Sequence, residues 1–352
     1  MPVAAACVLA VALAVLLVRW TAGPARSSGQ PVPSAEPFRF FSPTSVWNKP
    51  LSPSAEVDPT SPVVMAAFQA EIASEEALRR GPYINTVKYS VPIYTVPRRQ
   101  RTVTVKLRDV SEPELQRAWK SVPLPSDAQP SIGTDGNLFV WQPSTNRLWE
   151  FWKAIHTSHG WSARWGGAMQ HVSSDSGVYE PRVWPGAKYG WGVSASSMSL
   201  VGGLITFEDL KKGVINHALA MAIPGVRAGV YSSPAHRTDG YTPEPDALPE
   251  GAHLRLNPAL NLASLNLPRV TLMIAEAAQK YGIYVTDGTG YSGVTQLSAQ
   301  DPAGMATNPY LGPTGYFEGM SPKKVLADFP WNDLELLKME LHSAKLLLSR
   351  KF

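Results

Sequence analysis

The run Trp149-Glu150-Phe151-Trp152 places a carboxyl group between tryptophans on what reads as a strand. Side chains alternate along a strand, so Glu150 and Trp152 share one face while Trp149 and Phe151 share the other. A carboxyl beside an aromatic face suits a sugar subsite: the indole stacks on the apolar face of the ring, and the acid protonates a glycosidic oxygen. Asp287 or Asp135 then supplies the second carboxylate. The plainer alternative is a rim carboxylate next to core tryptophans.

His217 and His236 are the other candidate catalytic residues, with Glu150 and Asp287. His217 precedes an apolar run, and His236 follows a Pro234-Ala235 pair that fixes its backbone. Two imidazoles and Asp287 can form a base and its orienter. A divalent metal such as zinc or manganese, held by His217 and His236 with Asp287 and an open position for water, is the alternative. The tight His-x-x-x-His spacing of metal motifs is missing, so no cofactor is expected. Each histidine otherwise reads as a hydrogen-bonded partner in a polar pocket.

Asp135, Trp152, Trp161 and Arg255 are the candidate substrate-binding residues. Trp141, Trp149, Trp152, Trp161, Trp165, Trp184 and Trp191 are interleaved with Gly160, Gly166, Gly167, Gly190 and Gly192. Tryptophans on loops of a β-fold offer sugar platforms, although several must belong to the core. Three functions therefore stand open. The first is a glycan-cleaving enzyme, either a hydrolase or a lyase in which a His or Tyr removes the proton beside a uronate carboxylate neutralised by Arg255. The second is a glycan- or wall-binding module without catalysis. The third is a structural protein of the envelope.

No Gly-x-Ser-x-Gly elbow, P-loop, dinucleotide fingerprint or HExxH run occurs, which disfavours esterase, NTPase, Rossmann dehydrogenase and zinc peptidase chemistry. The net charge is only +4. The densest basic run, Arg98 to Arg108, alternates with Val103 and Val105 as the solvent face of a strand would, so no nucleic-acid partner is expected. The expected partner is a polysaccharide or cell-wall glycan.

The 32 prolines and 27 glycines among 352 residues punctuate the chain at short intervals and favour short strands over helical bundles. A helix is expected over residues 60–80 and another over 268–281. Strands are expected over 89–96, 102–107 and 283–286, and a hairpin over 137–142 and 147–153. Residues 203–207 and 217–223 are short apolar runs. Residues 331–349, rich in leucine, read as a closing helix. The expected fold is mainly β, a β-sandwich or jelly roll with a few peripheral helices.

Residues 3–18 are apolar without a break, long for a signal-peptide core and short for a membrane span. Residues 1–20 therefore read as a signal peptide or N-terminal membrane anchor, the only expected membrane contact. Residues 21–37, rich in Pro, Ser, Gly and Ala, read as a disordered linker. A single β-rich globular domain is expected over 38–352. The lone cysteine, Cys7, falls in the leader, so the domain has neither disulfide nor thiolate chemistry. The expected location is extracellular or in the cell envelope.

Ordered segments add to this reading: Gly213-Val214-Ile215-Asn216-His217-Ala218-Leu219, then Ser233-Pro234-Ala235-His236, then Gly251-Ala252-His253-Leu254-Arg255-Leu256, then Tyr281-Gly282 leading to Asp287. With Val46-Trp47-Asn48 and the Asp135-Gly136 turn, the chain here resembles a family of secreted bacterial proteins. The resemblance runs from about Ser42 to Asp333 and implies export and a shared site, without naming a substrate. The chain departs from the pattern at His253, where arginine is usual, and at Asp287-Gly288, where Asp-Asn-Gly is typical. It departs again at Ser194-Ala195-Ser196, where relatives tend to carry an acid.

Overall fold

The computed structural model describes residues 39–344. The expected leader and linker lie outside the described residues, as do residues 345–349 of the expected closing helix. No helix among the described residues is long and apolar enough to cross a membrane.

The described chain is mostly β, with several sheets and few helices. In chain order the elements are α1 (Ser61–Ala77), β1 (Tyr83–Asn85), β2 (Ile93–Thr95), β3 (Lys106–Leu107), α2 (Pro113–Ala118), β4 (Leu138–Gln142) and β5 (Arg147–Trp152). There follow β6 (Ile155–Thr157), β7 (Gly160–Ala163), β8 (Trp165–Gln170), α3 (Phe207–Lys212), β9 (Leu219–Ile223), β10 (Val230–Ser232) and β11 (His253–Leu256). The last are α4 (Arg269–Lys280), β12 (Ile283–Gly288), β13 (Gln296–Ser298), α5 (Pro322–Ala327), β14 (Leu334–Leu336) and β15 (Leu341–Ser343).

Two sheets dominate. A mixed six-stranded sheet runs β1-β13-β9-β12-β11-β14, and a four-stranded sheet runs β2-β4-β5-β8. The remaining strands form a three-stranded sheet, β3-β7-β6, and the pair β10-β15. One core lies along the four-stranded sheet, with Trp119, Trp149, Phe151 and Trp191 buried in it. The other surrounds the six-stranded sheet and takes its apolar side chains from α1, α4 and α5.

The expected hairpin is β4 and β5, antiparallel with Val140 opposite Trp149. A 3-10 turn over Pro143–Thr145 joins them, and Asn146 closes it at φ 54°, a left-handed conformation that asparagine tolerates. The helices expected over 60–80 and 268–281 are present as α1 and α4. In α4, Val270, Met273, Ile274, Ala277 and Ala278 are buried at the three- and four-residue spacing of one helical face. Gly282 ends it at φ 86°, where a Cβ would stand 2.2 Å from His253 Nε2, so only glycine fits.

The closing helix expected over residues 331–349 is corrected as far as the chain is described. Residues Trp331–Asp333 form a 3-10 turn, and β14 and β15 follow. Leu334 and Leu336 are buried to either side of Glu335, and Glu335 pairs with Arg255 on the neighbouring strand β11. Period-two burial and a cross-strand ion pair outweigh the helix propensity of the leucines. The strand expected over 89–96 is shorter than its pattern: Tyr89 takes φ 66°, Val91 makes a single bridge to Gln300, and the strand β2 begins only at Ile93.

Candidate active site

The C-terminal end of β5, the strands β9, β12 and β13, and the loops around residues 193–200 and 237–239 enclose a cleft of about 400 Å³. Three carboxylates line it: Asp135, Asp239 and Asp287. Trp152 and Trp165 supply aromatic wall, and Asn137, Thr238, Gln296 and Ser298 add neutral hydrogen-bonding groups.

Asp287 stands near the end of β12, where the pairing with β9 shifts register between Val285 and Asp287. A bulge of this kind re-aims the side chains that follow it. Its Oδ2 accepts the Ala195 N–H at 3.3 Å and its Oδ1 accepts the Gly288 N–H at 3.0 Å. Burial lifts the carboxyl well above the usual carboxylate range, reinforced by the charges of Asp239 and Asp135 and only partly opposed by those two N–H groups.

Asp135 belongs to the Asp135-Gly136 turn before β4, and its Oδ1 accepts the Trp152 indole N–H at 3.2 Å. Burial raises this carboxyl too, against the pull of that indole and of Lys153. The Lys153 ammonium sits 4.2 Å from the Trp152 ring centroid. Arg237 donates from Nη2 to the backbone oxygens of Ser194 at 2.5 Å and Gly192 at 3.2 Å, which ties the 192–199 loop to the cleft floor.

Of the residues singled out from the sequence, the structure brings Asp135, Trp152 and Asp287 together and leaves the others outside the cleft lining. Glu150 shares a strand face with Trp152, as alternation requires, yet it is fully buried. Its carboxyl accepts from the Ser199 hydroxyl and from the Val193 N–H at 3.4 Å, with the Tyr179 hydroxyl beside it. Burial pushes this carboxyl up to about 7. Glu150 thus fastens both ends of the loop whose Ala195 N–H holds Asp287. That loop contains Ser194-Ala195-Ser196, so the expected acidic position contributes a backbone donor to the cleft.

His217 lies at the foot of β9. Its Nδ1 faces the Ala218 carbonyl at 2.8 Å, and its Nε2 faces Oδ2 of Asp209, in the capping box of α3, at 3.3 Å. Burial would lower this imidazole, but Asp209 and the carbonyl outweigh it and hold the ring above its ordinary value. With an acceptor at each nitrogen the ring is satisfied as an imidazolium, which has no lone pair for a metal. His236 packs edge-on against Tyr189, with ring centroids 4.5 Å apart, and burial lowers it. Trp161 is buried and stacks on His156. Arg255 is tied to Glu335 at 2.7 Å. Among the described residues, no group of three or more His, Cys, Asp or Glu is placed to hold a metal ion.

Sequence reasoning passed over Arg237, Thr238, Asp239 and Trp165 as site residues. The first three directly follow His236, and Asp239-Gly240 is a turn dipeptide, the one local signal that a carboxylate is presented there. No protein-family model, curated protein or solved structure matches the chain.

Proposed function

We propose that this is an exported carbohydrate-active protein that cleaves a cell-wall or environmental polysaccharide by acid–base chemistry in the cleft of Asp135, Asp239 and Asp287. One observation carries the reading: carboxylates, one of them pushed far toward its protonated form, share a 400 Å³ cleft with two tryptophans. A carboxyl kept protonated near neutral pH is a general acid, and an adjacent ionised carboxylate completes the pair that glycosidic cleavage uses. Trp152 and Trp165 give sugar rings apolar faces, and Asp135 accepts from sugar hydroxyls beside Trp152.

The roles first read for Glu150, His217 and His236 pass to the cleft carboxylates. Glu150 becomes a fastener of the 193–199 loop. Hydrolysis is favoured over elimination, because three carboxylates gather in the cleft and Arg255 is engaged by Glu335 rather than free for a uronate; Tyr89, which also lines the cleft, makes unsaturated products the sign of elimination. The sandwich arrangement expected from the sequence belongs to the same proposal, supported by the two larger sheets both lending walls to one cleft. So do export, an N-terminal signal peptide or anchor, and a glycan rather than a nucleic acid as partner.

The experiment is incubation of the full chain with a panel of bacterial-wall and plant polysaccharides, with and without EDTA. New reducing ends and unsaturated products are followed. New reducing ends without unsaturation, unchanged by EDTA, are expected. Retained binding with no cleavage across the panel would favour a non-catalytic glycan-binding module.

A further inference from the structure

Resting on the glycan-cleaving reading, we propose that Asp239 is the second catalytic carboxylate, acting as base on water with Asp287 as the acid, and that Glu250 is the positioning residue behind it. Asp239 Oδ1 lies 3.6 Å from where a Cβ on Gly288 would stand, so it borders the residue that follows Asp287. Its loop is fixed on both sides. The His236 N–H donates to the Ser196 carbonyl at 3.0 Å, and the Gly240 N–H donates to Thr238 Oγ1 at 2.9 Å. A Cβ on Gly240 would stand 2.1 Å from the Arg227 carbonyl oxygen, so the Asp239-Gly240 turn presses onto backbone and admits only glycine.

Glu250 is fully buried. Its Oε2 accepts the Thr238 hydroxyl, while its Oε1 meets no donor, and its charged neighbours are the Asp239 and Asp287 carboxylates and the Arg237 guanidinium. A buried carboxyl oxygen without a donor is costly unless it carries the proton and donates it. Here the acceptor is Asp239. Glu250, buried and with one oxygen lacking a donor, therefore holds its proton toward Asp239, whose side chain is exposed to the water of the cleft. Burial first, and Asp239 second, hold Glu250 well above the usual carboxylate range, in keeping with that division.

The step balances with water as the only co-reactant. Asp287 gives its proton to the glycosidic oxygen as the bond to the anomeric carbon breaks, and the electron pair stays on that oxygen. Water adds its oxygen to the anomeric carbon and yields a proton to Asp239. Exchange with solvent returns Asp239 to the carboxylate and Asp287 to the acid.

The test uses the full chain on whichever polysaccharide it cuts, with carbon-13 titration of the carboxyl groups alongside. Asp239→Asn is expected to lower kcat by about 10²–10⁴-fold with KM little changed. Glu250→Gln keeps a donor toward Asp239 and most of kcat. Glu250→Leu removes the donor and moves the acidic limb of the pH–rate profile upward. Wild-type kcat in Asp239→Asn, or an unmoved limb in Glu250→Leu, overturns the assignment. If Glu250→Leu does not fold, the titration decides: Glu250 is expected to keep its proton at a pH where Asp239 has lost its own, and the reverse order overturns the pairing. A wild-type chain that cuts no glycan brings down the parent reading and the catalytic role of Asp239 with it, while the titration still decides whether Glu250 holds the proton.

Discussion

The indole N–H of Trp152 donates to Oδ1 of Asp135 across 3.2 Å, so one aromatic wall of the cleft and one of its carboxylates are held as a unit. Trp152 comes from the end of β5 and Asp135 from the turn before β4, two adjacent strands of one hairpin. Trp152→Phe keeps a stacking ring and removes the donor. Glycan binding is expected to weaken about tenfold, the equivalent of one hydrogen bond, with the fold intact. A calorimetric titration with the cleaved or bound glycan checks it, and unchanged affinity would detach Trp152 and Asp135 from the subsite.

Asp287 is lifted by burial and by the charges of Asp239 and Asp135, so it stays protonated through pH values at which an ordinary aspartate is ionised. Activity that needs this proton is present below the raised pKa and lost as pH rises through it. Asp287→Asn is expected to lower kcat by about 10²–10⁴-fold while circular dichroism and the melting temperature hold. The pH–rate profile of the wild type is expected to fall on its alkaline side, and a profile flat into alkaline pH would contradict Asp287 as the acid.

Glu150 gives the chain a pH-dependent stability. Its carboxyl rises on folding from 4.5 to about 7, so its neutral form is the one the fold prefers. Its contribution is fully present below about pH 4.5 and is lost as pH rises through about 7. Moving a carboxyl over that range corresponds to about 3 kcal/mol. Urea denaturation at pH 5 and pH 8 is expected to show the wild type weaker at pH 8, and Glu150→Gln to reduce that difference. An equal difference in both proteins would contradict this role.

Arg255 is structural in this geometry. Arg255→Met leaves Glu335 partly buried without its partner and is expected to cost about 3 kcal/mol of stability while kcat at saturating glycan is kept. Loss of turnover in a fully folded Arg255→Met protein would return Arg255 to the substrate.

The sequence made the hairpin of β4 and β5 readable because its alternation and its Pro-Ser-Thr-Asn turn are local. The helix α4 was readable for the same reason, through a proline start, apolar spacing and Gly282. Residues 331–344 were not, since Leu334 and Leu336 fit a helix or a strand, and only the distant pair Arg255–Glu335 decides. In the cleft, Asp135, Trp152 and Asp287 were legible by type and by their turn or strand positions. Asp239 and Glu250 were missed because their meaning lies in a contact between a loop and the residue before Gly251, eleven positions apart in the chain. His217 has the composition of a catalytic base, and only the structure reveals an acceptor at each of its nitrogens.

The measurement that bears most directly on the central claim is reducing-end release from the polysaccharide panel by the full wild-type chain and by its Asp287→Asn variant, side by side. The expected result is release by the wild type from at least one glycan and almost none by the variant, with both proteins equally folded. Release by both proteins alike, or by neither, would contradict a glycan-cleaving cleft built on Asp287.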